Sequence, residues 1–275
     1  MQTESTLGVH SAKRIVNVLG EPGSGKTLYA ATASRDPRKI FIIAADPAGL
    51  ETLSTNKIDI AFRAVSNANP FGDVVKTVME LSKLKPFPYT TVVIDDVSSL
   101  QLMVKNWLLV AHKEELTSKK TGAIDTRALF GRLKDRMQTL ILIIRDLPCH
   151  AVWLAWTKDA TTNEHGEIMK LGGPLVEGAT FDWLLGFASV NILLRLAKVP
   201  GAEGKSIVWK REVRTKPFGG FALKNRIGLP DPMPYDLVPG GNDGPPEWSH
   251  GLVDILTWGR KPTTRPAPPL HGALG

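Results

Sequence analysis

GEPGSGKT, from Gly20 to Thr27, is a complete phosphate-loop pattern, set between an apolar strand-like run, Arg14 to Leu19, and a helix-compatible segment starting near Gly25. Gly20, Gly23 and Gly25 permit the positive φ that turns bare main-chain N–H groups toward an anion, and Glu21, Pro22 and Ser24 complete the cradle. The helix that follows adds its positive N-terminal end. Lys26 is placed to reach the β- and γ-phosphates as a point charge, while the Thr27 hydroxyl supplies one ligand of a magnesium ion that keeps much of its water. A Gly-rich turn matching by chance has no reason to sit between a strand and a helix, so the stretch reads as a site for a nucleoside triphosphate with Mg2+.

Moving outward, Thr90 to Asp96 reads TTVVIDD, a β-branched run ending in two acids. A buried parallel strand of this kind delivers a carboxylate to the C-terminal edge of its sheet, where ligands bind in open α/β folds. Asp95 is the candidate for holding the magnesium ion through its water shell, and Asp96 for orienting an attacking water. The plainer alternative is that one of the two caps the helix beginning near Val97.

Strand-like and helix-like patterns alternate through the first two thirds of the chain, the signature of an α/β fold with a mostly parallel central sheet flanked by crossover helices. Strands are expected at Lys39 to Ala44, Ile58 to Phe62 and His150 to Trp156, and helices at Gly72 to Leu84 and Val97 to Ala111. Leu100, Val104, Trp107, Leu108 and Ala111 fall at helical spacing as core positions. Leu129, Leu133, Met137, Leu140, Ile141 and Ile144 mark a longer amphipathic helix. Thr157 to Gly178 is polar and Gly-rich, too long for a simple connection. Ser189 to Leu196 and Ser206 to Thr215 read as a late antiparallel hairpin. The organisation expected is a flexible stretch 1–12, an ATPase core 13–240, and a Pro/Gly-rich extension 241–275 with an amphipathic patch from Glu247 to Trp258 and a disordered tail from Gly259.

The chain has 275 residues, 43% of them hydrophobic, enough to bury one large core. Its one cysteine, Cys149, rules out an internal disulfide and fits a reducing, cytoplasmic setting. The first residues carry no apolar core of signal-peptide length, and the longest aliphatic run, Leu140 to Ile144, is far too short to span a bilayer, so no membrane partner is expected. His112, His165, His250 and His271 have no zinc-ligand spacing.

Charge is unevenly placed. Between Arg195 and Arg226 there are nine basic and two acidic residues, and this stretch alone accounts for the net charge of +7. Trp209, Phe218 and Phe221 are interleaved with the basic residues, the mixture that binds single-stranded nucleic acid through phosphate neutralisation and base stacking. Trp209, Lys210, Arg211 and Arg214 are the candidates. The plainer reading is a twisted hairpin with one solvated basic face.

Leu223 to Pro230 reads LKNRIGLP and resembles the KNR/KNK signature of RecA, RadA and DnaB-type ATPases. In that family the lysine and arginine reach across a subunit interface toward the neighbour's γ-phosphate, and Lys224 and Arg226 match those positions. The order of GEPGSGKT, VVIDD, RDLPCHAVWLAW, GGPLVEGATFDWLLGFASV and KNRIGLP, over about Arg14 to Pro234, is similar to the short RecA-core ATPases of bacteriophages that act in single-strand annealing and recombination. The resemblance implies a RecA-like ATPase that binds single-stranded DNA as a ring or filament of identical subunits, in the host cytoplasm if phage-encoded. It further implies work alongside a single-strand DNA-binding protein, and a DNA-contacting loop at Lys158 to Gly178 with Lys158 and Lys170 on the phosphates.

One departure stands out. Relatives commonly place a water-activating glutamate after the second strand, whereas this chain reads AADPAGLE, leaving Asp46 or Glu51 to substitute and hydrolysis expected to be slow or absent. A γ-phosphate sensor after the His150 to Trp156 strand would have to be Thr157. Two other classes share the phosphate loop. A small-molecule kinase requires a lid with paired arginines, and an assembly or remodelling ATPase acting on protein requires nucleotide-dependent oligomers indifferent to DNA.

Overall fold

The runs IVNVL, IFIIA, TVVID and HAVWLA have almost no polar alternation, and all four are buried along nearly their whole length, as strands covered on both faces must be. The computed structural model describes residues 13–200, 207–233, 235, 237–238, 247–248 and 250–259. In chain order these form β1 (Ile15–Leu19), α1 (Lys26–Ala30), β2 (Ile40–Ala44), α2 (Glu51–Thr55), β3 (Ala61–Ala64), α3 (Pro70–Lys83), β4 (Thr91–Asp95) and α4 (Val97–Ala111). Then come α5 (Lys113–Leu116), α6 (Thr126–Arg145), β5 (His150–Ala155), β6 (Thr157–Lys158), β7 (Thr161–Thr162), β8 (Ile168–Lys170) and β9 (Gly173–Pro174). The last are α7 (Thr180–Phe187), β10 (Val190–Pro200), β11 (Ile207–Arg214), β12 (Lys224–Asn225) and α8 (Leu252–Thr257).

The main sheet has the order β11-β10-β1-β5-β4-β2-β3, with β12 also on β10. β1 lies between β10 and β5, parallel to both, and β5 separates it from β4. Only β11 and β12 run antiparallel to their neighbour. This is the α/β class expected from the sequence, with β10 serving both as the last parallel strand and as the first arm of the hairpin.

Alternate residues of each strand feed two cores. Leu19, Ile94 and Trp153 join Leu100 and Val104 of α4 and Leu133 and Met137 of α6 on one face. Val16, Val18 and Ile42 join Tyr29 and Ala30 of α1 on the other. That second core is closed by α8, whose Leu252, Ile255 and Leu256 are fully buried. The Leu252 N–H donates to Thr32 Oγ1 at 2.8 Å, and the Arg14 guanidinium donates to the carbonyls of Ile255 and Trp258. The amphipathic patch in the expected extension is therefore part of the packed core. Ile255→Ala is expected to lower stability by about 2–5 kcal/mol in a denaturant titration, the range for truncating a buried aliphatic side chain.

Several boundaries differ from the sequence reading. The third strand starts at Ala61 because Ile58 and Ile60 are used for packing before the chain pairs with Phe41. The helix expected from Gly72 begins at Pro70, where Asn69 caps it by accepting from the Gly72 N–H at 2.9 Å. Ala111 is exposed at the last turn of α4 rather than in the core. The polar stretch after β5 is not a bare loop, since β6 pairs with β9 and β7 with β8 in two small sheets. The expected flexible stretch 1–12 and all of the expected tail beyond Gly259 lie outside the described residues. Among the described residues, no helix is long and apolar enough to cross a membrane.

Candidate functional site

The sheet topology brings the ends of β1, β4 and β5 to one edge, and the phosphate-loop segment lies there. Gly23 and Gly25 take φ of 77° and 93°, the left-handed conformation that glycine adopts without strain. Gly20 cannot carry a side chain for another reason: a Cβ there would stand 2.5 Å from Ser24 Oγ and 2.7 Å from the Leu194 carbonyl. The loop leads into α1, which runs only to Ala30 before tightening into a 3-10 turn, Ala31–Ala33. The bare N–H groups of the loop, more than a long helix dipole, make this an anion cradle.

Lys26 is buried, and its ammonium donates to the Gly20 and Glu21 carbonyls at 2.9 Å each. Burial holds its pKa below the ordinary lysine value, against the pull of Asp96, Asp95 and Glu21. A cation held in the loop mouth by neutral carbonyls can exchange those partners for phosphate oxygens. Thr27 Oγ1 donates to Asp95 Oδ2 at 2.7 Å, joining the two residues assigned from sequence to the magnesium ion. An all-oxygen pair of hydroxyl and carboxylate at the cradle's inner edge suits a hard divalent cation. Burial raises the Asp95 pKa to about 6, with the hydrogen bond from Thr27 opposing and the Asp96 charge adding to the shift.

Asp96 is placed differently from the water-orienting expectation. One of its oxygens accepts from the Ser99 N–H at 2.7 Å and the other from Ser99 Oγ at 3.0 Å, so it caps α4. Asp46, at the end of β2, lies close to Asp95 through the bonds of the Ala45 and Asp46 N–H groups to the Asp95 carbonyl. Its side chain is exposed and accepts from the Ala48 N–H at 3.2 Å, capping the next turn. Glu51 is exposed at the start of α2. Thr157 shares a cleft of about 190 Å³ with Glu21, Asp159, Arg195 and Phe218, beside the phosphate loop.

The four hairpin candidates do not form one face. In the β10–β11 register, Trp209 and Arg211 lie on one side of the sheet and Lys210 and Arg214 on the other. Arg214 bonds Glu212 at 3.1 Å and Asp231 at 2.8 Å, and with Arg195 it packs on the Phe218 ring. Its partners and ring contact account for it as a structural residue. Arg214→Ala is expected to destabilise the protein by about 1–3 kcal/mol, because Asp231 loses a charged partner, while nucleotide affinity is unchanged in a titration. Trp209 is 59% exposed under the Lys198 ammonium, and Lys210 is exposed.

Arg211 is a finding that sequence spacing does not show. Its Nε donates to the Ser24 carbonyl at 3.2 Å, and a Cβ on Gly25 would lie 2.7 Å from that nitrogen. It belongs to the phosphate loop's surroundings.

Lys158 and Lys170 share a cavity of about 640 Å³ with Phe130, Trp156 and Phe181, floored by Ser98, Ser99 and Gln101 from the first turns of α4. Gln101 is buried and holds the far end of the polar stretch, donating to the Glu177 carbonyl at 3.1 Å and to Thr180 Oγ1 at 2.8 Å. Lys224 turns inward, donating to the Leu185 and Gly186 carbonyls at 2.9 and 2.8 Å, whereas Arg226 is exposed and makes no ion pair among the described residues. Cys149 is buried, which pushes its thiol up to about 12 and leaves it unreactive.

Residues 12–226 match the family model described as an AAA domain. No match is found among curated proteins.

Proposed function

We propose, from the premise that this chain belongs to the AAA domain family and is a P-loop ATPase that binds ATP, that it captures single-stranded DNA as an oligomer and promotes annealing or strand exchange. The observation that carries the reading is the double duty of the first turns of α4. Asp95 and Asp96 lie immediately before that helix, at the nucleotide site, and Ser98, Ser99 and Gln101 floor the cavity that holds Lys158 and Lys170. A change in what Thr27 and Asp95 bind therefore has a short covalent path to the cavity, through the Asp96 cap and the Gln101 clamp. Three aromatic rings beside two lysines suit unpaired bases and their phosphates.

Thr27 and Asp95 would hold the magnesium ion, which when bound neutralises charge on the phosphates. Lys26 supplies a second positive charge, and Asp46, whose main chain is held to the Asp95 carbonyl, is the carboxylate put forward to order water. Arg226, exposed and without an ion pair among the described residues, is better placed than Lys224 to reach a neighbouring subunit of a ring or filament. The resemblance to the phage annealing and recombination ATPases supports the choice of DNA and of a single-strand DNA-binding protein as a companion.

The test is binding of labelled single-stranded DNA to the full chain with and without magnesium-ATP over a salt series, with Lys26→Ala as control. Nucleotide-dependent, salt-sensitive binding that the variant loses is the expected outcome. Absence of binding at low salt in every nucleotide state overturns the DNA reading. Nucleotide-dependent oligomers without DNA affinity would instead favour an ATPase acting on protein, for which exposed Leu102 and Leu175 of the same cavity would be the docking residues.

A further inference from the structure

The phosphate loop accounts for the triphosphate, and nothing so far accounts for the rest of the nucleotide. β11 is the edge strand of the sheet. Its outer edge is bridged by the Met233 N–H, which donates to the Val213 carbonyl at 2.9 Å. Two residues earlier along β11, the main-chain groups of Arg211 face that same outer edge by strand alternation, and no main-chain partner meets them there among the described residues. In this gap lies a cleft of about 410 Å³, lined by Lys210, Arg211 and Glu212 of β11, Ala197 of β10, and Pro232, Met233 and Tyr235.

Three observations tie the cleft to the phosphate loop. Arg211 lines the cleft, and its side chain bonds the Ser24 carbonyl and lies against Gly25, so one residue touches both places. It makes no ion pair among the described residues, unlike Arg195 and Arg214 on the same hairpin, which are paired to Glu212. The Tyr235 ring stands edge-on to Tyr29 of α1 at 4.8 Å, so the cleft rests on the helix that carries Lys26 and Thr27. Tyr235 is 8% exposed, and its hydroxyl is buried without a hydrogen-bond partner among the described residues, near enough to feel the Arg211 charge.

The lining suits a flat heterocycle. A proline, a polarizable methionine, a tyrosine ring and a guanidinium plane all pack on aromatic faces, and the Arg211 main-chain groups, without a main-chain partner among the described residues, offer polar contacts at the rim. The volume falls in the ordinary range for small-molecule sites, about 300–1,000 Å³. The other cleft bordering the loop, at Glu21 and Thr157, is about 190 Å³, too small for the same role.

We propose that the cleft between β11 and Met233 and Tyr235 takes the nucleoside portion of the bound nucleotide, with Arg211 as the positioning residue that spans base and phosphates. This rests on the ATP-binding reading. The test compares ATP with inorganic tripolyphosphate, which lacks the nucleoside, by titration of the full chain. Wild type should bind ATP the more tightly. Ala197→Phe, which puts a ring into the cleft at a strand position, should weaken ATP about tenfold or more and leave tripolyphosphate within about twofold. Arg211→Ala should weaken both, and Arg211→Lys should restore tripolyphosphate more than ATP, because an ammonium keeps the charge without the stacking plane. An unchanged ratio of the two affinities in Ala197→Phe overturns the proposal. Should that variant fail to fold, photo-crosslinking of wild type with 8-azido-ATP decides: label on peptides carrying Arg211, Met233 or Tyr235 supports the cleft, and label only elsewhere overturns it. If wild type binds neither ATP nor tripolyphosphate, the nucleotide reading itself falls, and the two failures are thereby told apart.

Discussion

Lys26→Ala is expected to abolish magnesium-ATP turnover, by a hundredfold at least, without weakening the nucleotide-free protein. Loss of one charged donor aimed at developing phosphate charge removes about two to three orders of magnitude in rate. The ground state suffers as well, since among the described residues no other lysine or arginine side chain bonds within the loop mouth apart from Arg211 at its shoulder. The folded protein, by contrast, loses little. Burial already disfavours the Lys26 charge, and its two hydrogen bonds go to carbonyls that the loop can leave to water. Thermal unfolding with and without magnesium-ATP separates the effects: wild type should gain stability as ligand is added, and the variant should unfold at the same temperature in both conditions.

Asp95→Asn is expected to go the other way on stability while removing activity. The Asp95 carboxyl titrates near 6 in the folded chain against an ordinary value of 3.8, so the folded state binds the proton more tightly than the unfolded state does. Stability therefore falls as pH rises from about 4 to about 6, and above that range the ionised group imposes its full cost, at most about 3 kcal/mol. Asparagine keeps an acceptor for the Thr27 hydroxyl and carries no charge. The variant should be more stable than wild type at pH 7 and above, with the advantage shrinking below pH 6 and gone near pH 4. Magnesium-dependent ATP binding by wild type should weaken as pH falls through about 6, and that pH dependence should be missing from the variant. Denaturant titrations at pH 4, 5.5 and 7.5 check the first pattern, and nucleotide titrations over the same range check the second. A variant less stable than wild type at pH 7 would contradict the account of Asp95 as a buried, desolvated acid.

The parts of this molecule that could be read from sequence are those where local pattern and physical role coincide. GEPGSGKT needs positive φ at Gly23 and Gly25, and both have it. VVID needs two covered faces, and it is buried throughout between β2 and β5. The pairing of Thr27 with Asp95 follows once β1 and β4 end at the same sheet edge. Reading failed where the deciding contact is distant in the chain. Arg211 was grouped with its basic neighbours, but strand alternation and a long-range contact to Ser24 set it apart from Lys210 and Arg214. Arg214 looks free in a list of charges and is neutralised by Glu212 and by Asp231, which follows the hairpin. The amphipathic patch that holds α8 was legible, but not its place in the core, because that is set by distant partners, Thr32 and Arg14.

The position of β1 has a consequence for how the chain is made. Both of its neighbours come much later in the chain, β5 pairing Ile15 with Ala151 and β10 pairing Val16 with Val190. Until then both of its edges are open, and its buried valines have no partner strand. Vectorial synthesis therefore makes the nucleotide-binding segment well before the strands that enclose it. ATP cannot act as a folding template for the emerging chain, because the strands that hold the loop in shape are not yet translated. The protein must reach its sheet unaided, with the open strand edge as the segment most in need of a chaperone.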